Sequence, residues 1–309
     1  MQRALVVARL LTVLVLCAYP TTVIEARAQD IEPRTYSNAP VGVNFVIAGY
    51  ARSQGGLPSD PSLPVTDPEL ATSSGLLAYV RALNLHGKSG KAEVLVPYTW
   101  LSGSVNFAGQ QFHRVANGFA DPKFRLSLIP YGAPALSLQE FASYKQDWIV
   151  GASVWVSAPL GEYDSSRLVN IGANRWAIKP EVGVSKAVRQ WTLEITAGAT
   201  FFSVNKNFFG GNTRSQDVLY ASQGHAIYNL HRGAWASFDA TYFAGGRSTI
   251  NGQRSDDLQR NWRAGGTLAL PVDIRNSIKI YASRGVSART GNSFDLIGLA
   301  WQYRWGGGL

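Results

Sequence analysis

Polar and apolar residues alternate along most of this chain, and the connections between the alternating stretches are in turn long and short. The clearest case is Lys91–Trp100. Ala92, Val94, Val96, Tyr98 and Trp100 share one face, while Lys91, Glu93, Leu95, Pro97 and Thr99 share the other. Successive side chains of a β-strand point to opposite faces, so a period of two predicts a strand with one oily and one mixed surface. Twelve such strands are predicted, near 41–52, 75–85, 91–101, 119–130, 147–158, 175–186, 191–202, 218–230, 234–243, 261–270, 277–286 and 294–305. The connections 53–74, 102–118, 159–174, 203–217 and 244–260 are long, whereas 86–90, 187–190, 231–233 and 271–276 are short. Residues 131–146 break the rhythm as a long connection on the short side, and their Ala135–Ala142 portion predicts a small helix against the rim.

Long loops on one rim and short turns on the other are the asymmetry of outer-membrane barrels. The predicted fold class is therefore all-β, a transmembrane antiparallel β-barrel of about twelve strands within a range of about 10–14. An even strand number puts both termini on the periplasmic side. A tilted strand needs only about 9–11 residues to cross the hydrocarbon, which these stretches supply. Twelve strands imply a lumen wider than a packed eight-stranded barrel and narrower than an open 16-stranded porin. A soluble all-β protein also alternates, but nothing in such a fold requires its loops to alternate in length.

Tryptophan positions agree with two interfacial belts. Trp148, Trp191, Trp235 and Trp305 fall near the short-turn ends of their strands, and Trp100, Trp176 and Trp262 near the opposite ends. Trp155, well inside its strand, stands outside this pattern. The last strand, Gly298-Leu-Ala-Trp301-Gln-Tyr303-Arg-Trp305, alternates aromatic residues and resembles the signal that bacterial barrel-assembly machinery reads, although Gly306–Leu309 extends past the final aromatic.

Residues 1–28 read as a secretory signal peptide. Arg3 and Arg9 form the positive region, Leu10–Tyr19 the apolar one, and Ala26-Arg27-Ala28 the cleavage site. The apolar run is too short for a spanning helix. Leu16 before Cys17, where lipoprotein signals carry a small residue, argues against lipidation. Removal of 28 residues from 309 leaves 281, takes away the only cysteine, and lowers the formal charge from +9 to +7 through loss of Arg3, Arg9 and Arg27 against Glu25. Thiol chemistry is then excluded. Basic residues are scattered singly, so nucleic acid is not an expected partner. The expected organisation is a signal peptide at 1–28, a periplasmic N-terminal segment at 29–40, the barrel at 41–305 and a short tail at 306–309.

Several strings are similar to exported transporter-like proteins of the meta-pathway phenol-degradation family. They are Asp30–Asn44, Gly118-Phe-Ala-Asp-Pro122, Pro159–Asp164, Asn174-Arg-Trp176 running to Lys179-Pro-Glu181, Gly245-Gly-Arg247 and Ser283-Arg-Gly-Val286. The resemblance covers nearly the whole mature chain. It implies an outer-membrane barrel with a role in admitting aromatic or other hydrophobic compounds, and it carries over no catalytic residue.

Alternation places the charged side chains of the strands on the inner face: Lys123, Arg125, Arg175, Lys179, Glu181, Glu194, His225, Asp239, Arg263, Lys279 and Arg304. Arg or Lys at the lipid midplane costs about 2–4 kcal/mol, so water is the favourable destination. This wall either selects solutes, favouring anions such as carboxylated aromatics, or braces the barrel through ion pairs across neighbouring strands. His225 reads either as a proton-sensitive group or as a hydrogen-bonded wall residue.

Other chemistry is thin. No strand presents a histidine with a serine two residues away on the same face, which disfavours an outer-membrane lipase. Gly87-Lys-Ser-Gly-Lys91 lacks the glycine a phosphate loop requires and sits in a hairpin turn. Asp60, Asp67 and Glu69 match no calcium-loop spacing, and no zinc spacing exists. No cofactor, no metal and no catalytic residue is expected. The reading is a monomeric outer-membrane channel for passive uptake of small aromatic or hydrophobic solutes, with outer-membrane lipid, the assembly machinery and the solute as partners. Its rival is a structural or receptor-type barrel plugged by Gln29–Pro40 or by folded loops.

Overall fold

The computed structural model describes residues 31–55, 66–107, 109–290 and 294–309, with only the backbone of 66–68. The leader, its cleavage site, Cys17 and Asp60 lie outside the described residues. The strands are β1 (Val43–Gly55), β2 (Thr66–Leu85), β3 (Lys88–Phe107), β4 (Gln110–Phe119), β5 (Lys123–Tyr131) and β6 (Trp148–Ser157). They continue with β7 (Ala177–Val188), β8 (Trp191–Phe202), β9 (Asn205–Phe208), β10 (Asn212–Gln216), β11 (Leu219–Asn229) and β12 (Trp235–Gly245). The last five are β13 (Ser248–Ile250), β14 (Gln253–Arg254), β15 (Gln259–Pro271), β16 (Asn276–Ser287) and β17 (Phe294–Gly306).

Twelve of these close an antiparallel barrel in the order β1, β2, β3, β5, β6, β7, β8, β11, β12, β15, β16, β17. The seam joins β17 to β1, with Val43 opposite Gly306. Lipid cannot satisfy backbone donors and acceptors, and each unpaired group there costs several kcal/mol, so closure follows from the solvent. The two faces differ as the alternation requires. On β3, Pro97 and Thr99 are buried toward the lumen, whereas Val96 and Trp100 are exposed outside. Ile178, Val182, Leu193, Ile195, Phe238, Ile297 and Leu299 continue the exposed apolar band.

Trp100, Trp148, Trp176, Trp191, Trp262 and Trp301 are all exposed on this outer surface. Trp235 departs from the expected belt. Buried Asp239, Thr241 and Phe243 share its face, so it points inward, where the Arg34 guanidinium lies 5.0 Å from its ring. Trp155 is also inward and 8% exposed, which explains why it stands mid-strand.

The strand expected near 119–130 is β5, which begins only after Ala120-Asp121-Pro122, and β4 lies in the stretch expected as a loop. β4 pairs with the upper half of β3 and β5 with the lower half. The expected long loop at 102–118 is consequently a β3–β4 hairpin that rises past the barrel. The loops at 203–217 and 244–260 likewise carry strands, since β9, β10, β13 and β14 form a four-stranded sheet. Above the lumen these pieces share a small core of Leu70, Leu101, Val105, Leu168, Val169 and Phe208, against which Phe107, Phe112 and Phe209 pack, with Phe209 edge to face with the other two. At the opposite rim, helix α1 (Leu138–Phe141) starts on a capping box in which Ser137 and Glu140 satisfy each other's backbone N–H groups.

Asp121 ties the cap to the wall. Its Oδ1 accepts from Gly161 N–H at 2.9 Å and its Oδ2 from Ala173 N–H at 2.8 Å. Gly161 must be glycine, because a Cβ there would stand 2.6 Å from the Asp121 nitrogen. Asp121→Ala is expected to destabilise loop 158–176 by about 1–3 kcal/mol for the stranded donors. Limited proteolysis checks this: the loop should be cut faster while the barrel fragment persists, and unchanged cutting would contradict it.

Candidate functional site

Residues 31–42 turn up into the barrel from the short-turn rim and pack on one arc of the inner wall. Arg34 holds a left-handed backbone, φ 67°, which costs a non-glycine residue about 1–2 kcal/mol, so its surroundings must impose it. They do so with several bonds. Arg34 N–H donates to Glu194 Oε2 at 2.6 Å, Ser37 Oγ donates to the Arg34 carbonyl at 2.8 Å, and the Arg34 guanidinium donates to Asn229. Lys91 Nζ donates to the Thr35 carbonyl at 3.1 Å, and Glu32 meets Arg125 at 3.0 Å.

Tyr36 is the anchor. Gly151 and Gly183 stand opposite each other on β6 and β7, and a Cβ on either would fall within 2.4 Å of the Tyr36 ring. Two facing glycines thus form a slot the width of an aromatic ring. Tyr36 is 3% exposed there, packed with Ile129, Ala133 and Ile149. Its hydroxyl lies 3.1 Å from Ser153 Oγ and donates toward Glu181 Oε1 at 3.3 Å. Burial, reinforced by the Glu181 carboxylate, pushes the phenol up to about 12, so it stays a neutral donor.

The wall residues named from alternation sort into three groups. Around Arg125, which is 4% exposed, Glu93 lies directly across the ladder at 3.7 Å and Glu181 at 3.6 Å. Lys179 bonds Glu181 at 2.9 Å, and Lys123 stands two residues along on the same face of β5. Nearer the short-turn rim, Glu194, His225 and Asp239 are register neighbours across β8, β11 and β12. His225 Nδ1 is 2.8 Å from Asp239 Oδ1, and Ser237 and Thr267 donate to Asp239 Oδ2 at 3.0 and 3.2 Å. The remaining four are scattered. Arg175 donates to Gln216 at 2.6 Å beneath the cap, and Arg263 donates to the Phe294 carbonyl at 2.9 Å. Lys279 lies 5.5 Å from the Tyr281 ring, and Arg304 donates to the Ile274 carbonyl at the rim.

Sequence reasoning raised Gln29–Pro40 only as a plug in the rival reading and did not single out Glu32, Arg34 or Tyr36, because a non-periodic stretch does not tell which of its side chains dock on the wall. The glycines at 151 and 183 are the available signal: both fall at inward positions, where a missing side chain makes room. The other histidines are exposed: His86 lies in the β2–β3 turn, His113 on β4 and His231 in the β11–β12 turn. Among the described residues no cluster of three metal-ligating side chains occurs.

Between residues 31–42 and the cap a cavity of about 300 Å³ remains. Leu76, Leu95, Pro97, Ala51 and Leu296 line it on the arc β17–β1–β2–β3, and Lys123, Lys179, Glu181, Arg175 and Trp155 on the other, with Glu32 reaching in from the segment. Apolar and charged side chains therefore face one space.

Tyr36→Ala and Gly183→Val are each expected to release the segment and raise single-channel conductance by roughly twofold or more, as a constriction is removed. Planar-bilayer recording checks this. Wild-type conductance in both variants would mean that residues 31–42 do not narrow the path.

The chain matches the family described as "Putative MetA-pathway of phenol degradation" over residues 56–303. No curated protein matches it. Among solved structures, the COG4313 outer membrane channel from Pseudomonas putida F1 is similar, with 19% identity and a TM-score of 0.74 over 89% of this chain and 100% of that one. The beta domain of the Bordetella autotransporter BrkA aligns with 9% identity and a TM-score of 0.49 over 85% of this chain and 99% of that one. The KdgM porin aligns with 9% identity and a TM-score of 0.45, over 84% and 98%. Matched over most of its length and folded as a closed twelve-stranded barrel of the outer-membrane type, the chain belongs to the phenol-degradation MetA-pathway family.

Proposed function

We propose that this protein is an outer-membrane channel for passive uptake of small solutes with aromatic or otherwise hydrophobic character. The observation that carries the reading is the cavity at mid-lumen, which brings an apolar arc and a charged arc to the same 300 Å³. A general diffusion pore needs only a wet wall. An oily arc inside a lumen is useful where the solute itself is oily. The family's description, which names phenol degradation, supports the same solute class. Neither an ATP-binding loop nor an ion-coupling site is part of this reading, so the solute moves down its own gradient.

Processing after Ala28 fits the arrangement. It would start the mature chain at Gln29, two residues before Ile31, whose Cδ1 approaches Gly265 in the middle of β15. The rival reading, a plugged structural barrel, draws on the same segment and on the cap above it. Expression in a porin-deficient Gram-negative host separates the two. A channel should raise the rate at which labelled small aromatic solutes reach the periplasm several-fold over an empty vector. Equal rates for every aromatic tested, with the barrel folded in the outer membrane, would favour the plugged barrel.

A further inference from the structure

The carboxylate of Glu32 occupies a place that the wall builds for an anion. Arg125 Nη1 is 3.0 Å from Glu32 Oε2, while the wall's own carboxylates, Glu93 and Glu181, stand off at 3.7 and 3.6 Å. Aromatic rings flank the guanidinium, Trp155 at 4.9 Å and Tyr36 at 5.6 Å. Arginine with a planar fork of donors, desolvated and backed by rings, is the group best suited to a planar carboxylate. Yet the nearest anion belongs to no strand. It comes from residues 31–42, outside the ladder, and its side chain remains 31% exposed where it borders the cavity.

The geometry points to the central cavity as a binding site for small carboxylates with an apolar body of about one aromatic ring, whose carboxylate takes the place of Glu32 on Arg125. This rests on the reading that solutes pass through the lumen, and it names their class. Charge balance is the first argument. Glu32, Glu93 and Glu181 face Arg125, Lys91, Lys123 and Lys179, so the pocket holds more basic than acidic groups even with Glu32 in place, and withdrawal of Glu32 widens an imbalance that a solute carboxylate narrows. Size is the second. An apolar cavity of about 150 Å³ accommodates benzene, and this cavity of about 300 Å³ has room for a ring and its substituent. Position is the third. Leu76, Leu95 and Leu296 border the same space as Glu32, so a solute with its carboxylate at Arg125 directs its body toward them. Binding is thereby coupled to opening, because a solute that displaces Glu32 removes one of the contacts holding residues 31–42 in the lumen.

The test uses the full processed chain in detergent, with benzoate and benzyl alcohol as probes that share a ring and differ in charge. Calorimetry should show benzoate binding about tenfold more tightly than the alcohol. Glu32→Gln should tighten benzoate binding roughly threefold or more, since the internal competitor loses its charge. Lys123→Gln should weaken it by a similar factor and leave the alcohol unaffected. Benzoate binding no better than benzyl alcohol, or benzoate affinity unchanged or reduced in Glu32→Gln, overturns the proposal. Bilayer conductance of the same preparation tells the two readings apart. A conducting barrel indifferent to benzoate removes the carboxylate site and leaves the channel, whereas a barrel that binds benzoate without conducting supports the site and removes the channel.

Discussion

Hydrocarbon offers no partner for a backbone N–H or C=O, and that one deficiency organises this molecule. It forces every strand to pair on both sides, so the sheet closes between β17 and β1 and no edge remains at the height of the bilayer. Closure in turn makes the two faces unequal. One meets lipid and becomes a band of Val, Ile, Leu and Phe between tryptophans. The other encloses a space too wide for wall side chains to fill and too confined for charges to remain unpaired. Everything specific to this protein is an answer to what fills that space.

Two arcs of the wall answer differently. Between β5 and β12 the inward positions carry Arg125, Glu181, Glu194, His225 and Asp239, all deeply buried because residues 31–42 lie over them. The segment supplies complementary groups in order: Glu32 for Arg125, the Arg34 backbone for Glu194, and the Tyr36 ring for the glycine slot. From β17 through β1 to β2 the inward positions bordering the cavity, among them Ala51, Leu76 and Leu296, are small or apolar. The charged arc is thus where the segment binds, and the apolar arc is what it leaves open. Ion pairs in such a place stabilise little by themselves, because desolvation offsets most of the attraction. What they confer is position.

The strings on which the family resemblance was read acquire a physical meaning from the fold. Gly118–Pro122 breaks β4 from β5 and delivers Asp121. Pro159–Asp164 delivers Gly161, whose N–H Asp121 accepts, and the chain before Trp176 delivers Ala173, the second donor. These segments lie far apart in sequence and meet at one knot under the cap. The Asp30–Asn44 string is the luminal segment itself, where it is described. Both groups of residues make tertiary contacts, which is why they look like motifs without resembling any catalytic or metal-binding pattern.

Alternation of period two was enough, by itself, to determine the all-β class and the twelve wall strands. It works because strand geometry is local and lipid penalises every violation. The same logic misplaced Trp235, since an aromatic near a strand end satisfies the belt pattern whichever face it occupies. It also read 102–118 as a loop, because a hairpin that rises clear of the bilayer feels no pressure to alternate as a spanning strand does. The destination of residues 31–42, the folding of the outer loops over a shared core, and the juxtaposition of Glu32 with Arg125 were decided only in three dimensions. The hydrogen bonds of the luminal segment join groups as much as 195 residues apart, as Arg34 and Asn229 are. They depend on the shape of an enclosed space that exists only after the barrel has closed.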